Sequence, residues 1–169
     1  MAVTTYILSI SDFENRADIS PHVKTSFLKQ HIGVIQEKYA VKILCLEFYD
    51  EVLAVVAGTT TSPVITALLP YIKDYLIYKT YARYLLYANQ KSTAAGIRVT
   101  QEPVSTPASD KVLMEMIREA KGTAAFYQDQ LVNFLECNKD DYPTWRDSIC
   151  NCGKGRAKRL NKFSRVGTS

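Results

Sequence analysis

The chain has 169 residues, 47% of them hydrophobic and 22% charged, which supports one well-cored domain and excludes a wholly disordered chain. Its net charge of +4 averages two unlike parts: residues 151–169 hold six cations and no acid, so residues 1–150 carry −2. No apolar run approaches the roughly 18 residues of a membrane span, and Cys45, Cys137, Cys150 and Cys152 are too few and too unevenly placed for a disulfide scaffold.

The opening residues, "MAVTTYILSISDFENR", lack a basic leader and reach Asp12 after only a few apolar residues, so they do not read as a signal peptide. A soluble protein made in a cytoplasm is expected. Within this stretch "TTYILSI", residues 4–10, is β-branched and aromatic, which predicts a short strand or an extended arm. Ser20 and Pro21 then make a good helix start. Val23, Phe27, Ile32 and Ile35 recur at helical spacing behind them, predicting a helix over about 21–39. A second helix is expected over 42–56, ending at Gly58.

"GTTTSP" forms a loop that ends in another Ser-Pro start, Ser62 and Pro63, and the third helix should run from there to about Asn89. Pro70 lies inside it. An interior proline removes a hydrogen bond and crowds the preceding turn, so a kink or restart near Tyr71 is expected. "STAAGIRVTQEPVSTPAS" is the least helical stretch. Ile97 and Val99 alternate with Arg98 and Thr100, and Pro103 and Pro107 follow, predicting a projecting β-hairpin or extended loop over 93–107. A fourth helix over 108–137 carries the apolar stripe Leu113, Met116, Ile117, Ala120, Ala124, Tyr127, Leu131 and Phe134. "DDYPTW" closes the domain. The expected fold is mainly α: a bundle of about four helices with a small β-hairpin or extended loop (residues 1–150), followed by a flexible basic C-terminal tail (residues 151–169).

The third helix has an unusual composition. Tyr71, Tyr75, Tyr78, Tyr81, Tyr84 and Tyr87 fall within seventeen positions. At about 100° per residue, Tyr71, Tyr75 and Tyr78 share a broad face with Ala82, Leu85 and Leu86, whereas a repeated spacing of three carries Tyr81, Tyr84 and Tyr87 round to the other side. A helix apolar most of the way round is buried on more than one side. Three environments fit: the centre of the monomer, a neighbouring subunit, or a stacking platform for single-stranded nucleic acid. The last would need an interleaved basic groove. Tyr84 and Tyr87 are the residues expected at a subunit contact.

Chemistry-bearing patterns are sparse. Cys137, Cys150 and Cys152 with His22 or His31 do not have zinc-site spacing. His22 falls in a first helical turn, where a cation is unfavourable, and His31 is expected on a polar side. No phosphate loop, nucleophile elbow or H-E-x-x-H occurs. Asp12 with Glu14, Glu115 with Glu119, and the adjacent Asp140 and Asp141 have nothing beside them to raise a pKa. No catalytic residue, metal site or cofactor is expected, and the chain does not read as an enzyme. The tail's Lys154, Arg156, Lys158, Arg159, Lys162 and Arg165 suit either a solvated end or an arm that orders on an acidic surface or on DNA phosphates. Leu160 and Phe163 could anchor such an arm to protein.

The order "ISDFENRADISPHVKTSFLKQHIGVIQEKY", then "FYDEV", then "LLPYIKDYLIYKTYARYLL" resembles the head–tail connector (adaptor) proteins of tailed bacteriophages, most of all those of Bacteroides-infecting and crAss-like phages. The likeness covers about residues 6–146. It includes the aromatic run Tyr78–Tyr84, the extended segment Gly96–Pro107, the long helix through Ala120–Leu135, and the "YPTW" ending at Tyr142–Trp145. The basic tail lies outside it. The resemblance implies a virion protein made in the host cytoplasm, forming a ring, of about twelve copies, below the portal. Such a ring extends the DNA channel and gives other neck or tail proteins an attachment surface. Its partners would be copies of itself, the portal protein and those neighbours, with genomic DNA passing through and no membrane. A mildly acidic domain suits a lumen through which DNA must slide. The alternative is a small helical nucleic-acid-binding module that uses the basic tail.

Overall fold

The computed structural model describes residues 5–14, 16–17, 25–87, 90–93, 96–99 and 110–147. Within them the chain is mainly α-helical, a bundle built around one long central helix. The elements are a 3-10 turn at Ile10–Phe13, α1 at Thr25–Ile35, a π-helical turn at Gln36–Ala40, α2 at Val41–Leu44, and α3 at Leu46–Val56. They continue with α4 at Pro63–Tyr87, β1 at Gln90–Thr93, β2 at Gly96–Val99, α5 at Asp110–Cys137, a 3-10 turn at Lys139–Asp141, and α6 at Pro143–Asp147.

The first helical run continues past the predicted boundary. α1, the π-turn and α2 follow without a break to Leu44, because residues 40–42 contain no glycine or proline to stop them. The break falls instead at Cys45, inside the helix expected over 42–56. Cys45 has φ 65° and ψ 157°, a conformation nearly restricted to glycine, and its side chain is buried. Ser20, Pro21 and His22 lie outside the described residues.

Local signals set the other boundaries. α3 ends with Gly58 at φ 73°, where the Gly58 N–H donates to the Val55 carbonyl and the Thr59 N–H to the Ala54 carbonyl. Those two bonds form a Schellman stop. Ser62 caps α4 through its hydroxyl, which accepts from the Ile65 N–H at 3.3 Å. The helix then runs unbroken through Pro70, with no restart at Tyr71. Leu68 and Ile72, either side of the proline, are both buried in the same core, so tertiary packing holds the two segments in one helix. β1 and β2 pair antiparallel, from Gln90↔Val99 to Thr93↔Gly96, so the hairpin begins three residues before the predicted segment. Residues 100–109 and the tail lie outside the described residues.

α4 is the centre of the bundle. Its neighbours are α1, the π-turn, α3, α5 and the N-terminal 3-10 turn. That arrangement explains a helix apolar on most sides: Ile65, Leu68, Ile72, Tyr75, Leu76, Ile77, Tyr81, Ala82 and Leu85 are all buried. Burying each large aliphatic chain contributes about 1.5–3 kcal/mol. The tyrosines divide between neighbours. Tyr71 stacks on Phe134 at 4.3 Å and Tyr78 on Tyr127 at 5.3 Å, two rungs seven residues apart on each of α4 and α5.

A buried polar bracket ties the N-terminal arm to this core. The Gln36 side chain accepts from the Ile7 N–H at 2.8 Å and donates to the Thr5 carbonyl and the Tyr49 hydroxyl at 3.0 and 2.8 Å. It lies in the π-turn, where the altered helix geometry accommodates it. Further along the arm, Lys73 pairs with Asp12 at 2.9 Å and Arg16 with Asp74. At the other end of the chain, the Trp145 indole N–H donates to the Ile43 carbonyl and the Tyr142 hydroxyl to the Val64 carbonyl, closing α6 onto the bundle.

Candidate interaction surface

The C-terminal third of α4 differs in character from the rest of that helix. Its own small core comprises Tyr81, Ala82 and Leu85 with Ile117 and Ala120 of α5. Beside it, α1 and α4 meet through four rings. Phe27 packs edge-on against His31 at 4.5 Å and against Tyr84 at 6.2 Å, and His31 stacks on Tyr87 at 5.6 Å.

His31 therefore does not lie on a polar side, as expected from the sequence, but is buried among aromatic rings. Its environment comes from a helix fifty residues away, through the ring of Tyr87. Burial lowers its pKa, and the nearby Arg83 lowers it further, so the neutral imidazole is favoured. Its Nε2 is buried without a hydrogen bond among the described residues, as are the Thr80 hydroxyl and the Arg83 Nε.

Arg83 lies over the Tyr87 ring at 5.0 Å, and the Lys79 ammonium over Tyr39 at 4.8 Å. These cation–π contacts hold both cations without neutralising them. Lys79, Arg83 and Lys121 of α5 together line a groove whose other lining residues, Ile35, Tyr39, Ala82 and Leu86, include no acid. At its edge Leu86 is 41% and Tyr87 39% exposed, and Val34 is also exposed.

Of the tyrosines expected inside the monomer, Tyr75 is fully buried, with its phenol pKa raised chiefly by burial. Tyr71 and Tyr78 pack partly buried against the main core. Of those expected at a subunit contact, Tyr84 is partly buried against α1 and Tyr87 remains substantially exposed. Tyr81, third of the rotating set, is buried. Lys79 and Arg83 interrupt the apolar surface of α4 in the sequence too, but the groove also needs Lys121 of α5, which no pattern within one helix reveals. The spacing of Lys79 and Arg83, four apart, was the one available signal.

The remaining candidates do not converge. Cys45 is buried and Cys137 exposed, while Cys150, Cys152 and the tail residues Lys154 to Arg165 lie outside the described residues. Among the described residues no three His, Cys, Asp or Glu side chains approach one another closely enough to hold a metal ion. Asp12 is engaged by Lys73, and Asp140 by Arg146. No helix is long and apolar enough to cross a membrane among the described residues.

A family model described as a family of unknown function (DUF6712) matches residues 37–155. No curated protein and no solved structure matches the chain.

Proposed function

The chain belongs to this family of unknown function, and we propose that it is a structural virion protein, a head–tail connector subunit that forms a ring below the portal. The ring would extend the DNA channel and offer the tail an attachment surface. The observation that carries the reading is the outer end of α4, where Leu86 and Tyr87 remain exposed beside a groove of unneutralised cations. A subunit contact would cover the apolar side chains and could bring carboxylates to the cations. The resemblance in the order of the aromatic segments supports the same reading.

In this proposal Tyr84 and Tyr87 lie at or near the contact between copies, the copy number is about twelve, and no residue has a catalytic role. The tail from Lys154 to Arg165 docks on a protein partner through Leu160 and Phe163. Native mass measurement of the full chain, alone and with its portal, tests the reading. A closed oligomer that binds the portal is expected; a chain that stays monomeric at high concentration and ignores the portal would refute it.

A second reading, a helical nucleic-acid-binding module, draws on Lys79, Arg83 and Lys121 together with the basic tail. Binding to DNA of any sequence that weakens steeply with salt, in a chain that never self-associates, would favour it.

A further inference from the structure

We infer that, given the ring reading, copies join head to tail: the α5 stripe bearing Glu115, Glu119 and Phe126 on one copy seats in the Lys79–Arg83–Lys121 groove of the next. The two surfaces are opposite in charge, each has an apolar component, and the same chain carries both.

The groove is about 280 Å³ and open to the surface, with room for side chains of a docking helix. Ile35, Tyr39 and Leu86 supply an apolar floor and edge around its three cations. None of those cations has a carboxylate partner among the described residues, and the Arg83 Nε is buried without an acceptor. An incoming group that combines an aromatic ring with carboxylates would satisfy every one of these features.

α5 presents such a group on another side of the molecule. Glu115, Glu119, Gly122 and Phe126 follow at intervals of four, three and four, which places them along one helical face. Phe126 is 57% exposed, among the most exposed large apolar side chains of the described residues. A side chain added at Gly122 would meet nothing within 4 Å, so the turn before Phe126 is bare and open to approach. Lys121 and Phe126 stand roughly 140° apart around the helix. Stripe and groove therefore face different directions, and one copy can engage two neighbours at once.

This geometry also selects the type of contact. A two-fold pairing of identical surfaces would set carboxylates against carboxylates, or cations against cations, which is unfavourable. A contact between unlike surfaces repeats from copy to copy and closes into a ring when the rotation allows.

The test uses the full chain and reads oligomer mass by native mass spectrometry and light scattering. Phe126→Ala should weaken association about tenfold or more, as loss of an aromatic anchor does, with an unchanged melting temperature because the side chain is exposed. The double variant Glu115→Lys with Glu119→Lys, and the double variant Lys79→Glu with Lys121→Glu, should each fail to assemble alone. Mixed together, they should assemble again as alternating copies. Wild-type oligomers unaffected by all three variants would overturn the inference and leave the ring reading standing. A wild-type chain that remains monomeric would overturn both. DNA binding that is lost in the Lys79→Glu, Lys121→Glu variant but kept in Phe126→Ala would assign the groove to phosphates and overturn the head-to-tail contact.

Discussion

Two regions around α4 meet their polar groups differently. Where the N-terminal arm and α6 close onto the bundle, polar side chains find partners: Gln36 makes three hydrogen bonds, Trp145 and Tyr142 each reach a backbone carbonyl, and Asp12 pairs with Lys73. At the C-terminal end of α4, His31, Thr80 and Arg83 each have a buried polar atom without a hydrogen bond among the described residues, and apolar side chains remain exposed. An unsatisfied buried group costs about 1–3 kcal/mol, so the polar groups of the first region stabilise the folded chain while those three of the second oppose it. What the second region retains is unmet bonding capacity next to apolar surface, which a neighbouring molecule can use.

The largest effect that can break this contrast is expected at Gln36. Gln36→Leu keeps the volume but orphans the buried Ile7 N–H and removes the donor to the Tyr49 hydroxyl. Two such losses should cost about 3–5 kcal/mol, read as a lower midpoint in chemical denaturation. A cost below about 1 kcal/mol would mean that the bracket does not fix the arm, and the paired region would lose its main support.

Cys45 should come next. Its φ of 65° with ψ 157° is strained for any residue with a Cβ, by about 1–3 kcal/mol. Cys45→Gly relieves the strain but loses the buried thiol and adds freedom to the unfolded chain, so stability should stay within about 1 kcal/mol of the wild type. Cys45→Val adds a β-branch in the same conformation and should be about 2 kcal/mol or more less stable than Cys45→Gly. If the valine variant equals the glycine variant, the junction is not strained.

The same junction shows what was legible in the sequence. Ser62, Pro63 and Gly58 act within a turn of themselves, and the boundaries they predict are the ones observed. The break at Cys45 has no such local mark, because tertiary contacts such as Trp145 on the Ile43 carbonyl stabilise it from a hundred residues away. The rotation of the tyrosines was likewise visible, but not their partners. Tyr71 and Tyr78 face α5, and Tyr84 and Tyr87 face Phe27 and His31 of α1. Helical periodicity gives a direction around an axis, and only the packing says what stands there. For that reason the polar side expected for His31 is not what surrounds it, and the groove that two helices assemble has no single-helix signature.

Thr80→Val sharpens the comparison from the other side. The hydroxyl is fully buried with no hydrogen bond among the described residues, and valine has nearly the same shape. Removing an unmet polar group should therefore raise stability by about 1 kcal/mol, seen as a higher denaturation midpoint with an unchanged slope. A loss of stability would show that the hydroxyl is satisfied after all, and the C-terminal end would be less frustrated than its geometry indicates.

The smallest expected effect separates the two regions by pH. His31 titrates below its ordinary value of 6.5 in the folded chain, because burial and Arg83 disfavour its cation. The unfolded chain then binds the proton more readily. Stability contributed by the neutral ring is fully present above about pH 6.5 and declines as pH falls through the folded value. Against the middle of α4, Asp12 is also held below its ordinary value of 3.8: burial raises it, but the Ser9 N–H and Lys73 more than offset that. Its contribution is lost only as pH falls below 3.8. Denaturation of the wild type should thus show a first decline beginning near pH 6.5 and a separate, more acidic one. His31→Gln should flatten the first and leave the second, whereas Asp12→Asn should do the reverse. A single acid transition unaffected by His31→Gln would mean that the ring is protonated as easily in the bundle as in water. The aromatic stack on Tyr87 would then not be the dry environment that distinguishes this end of α4.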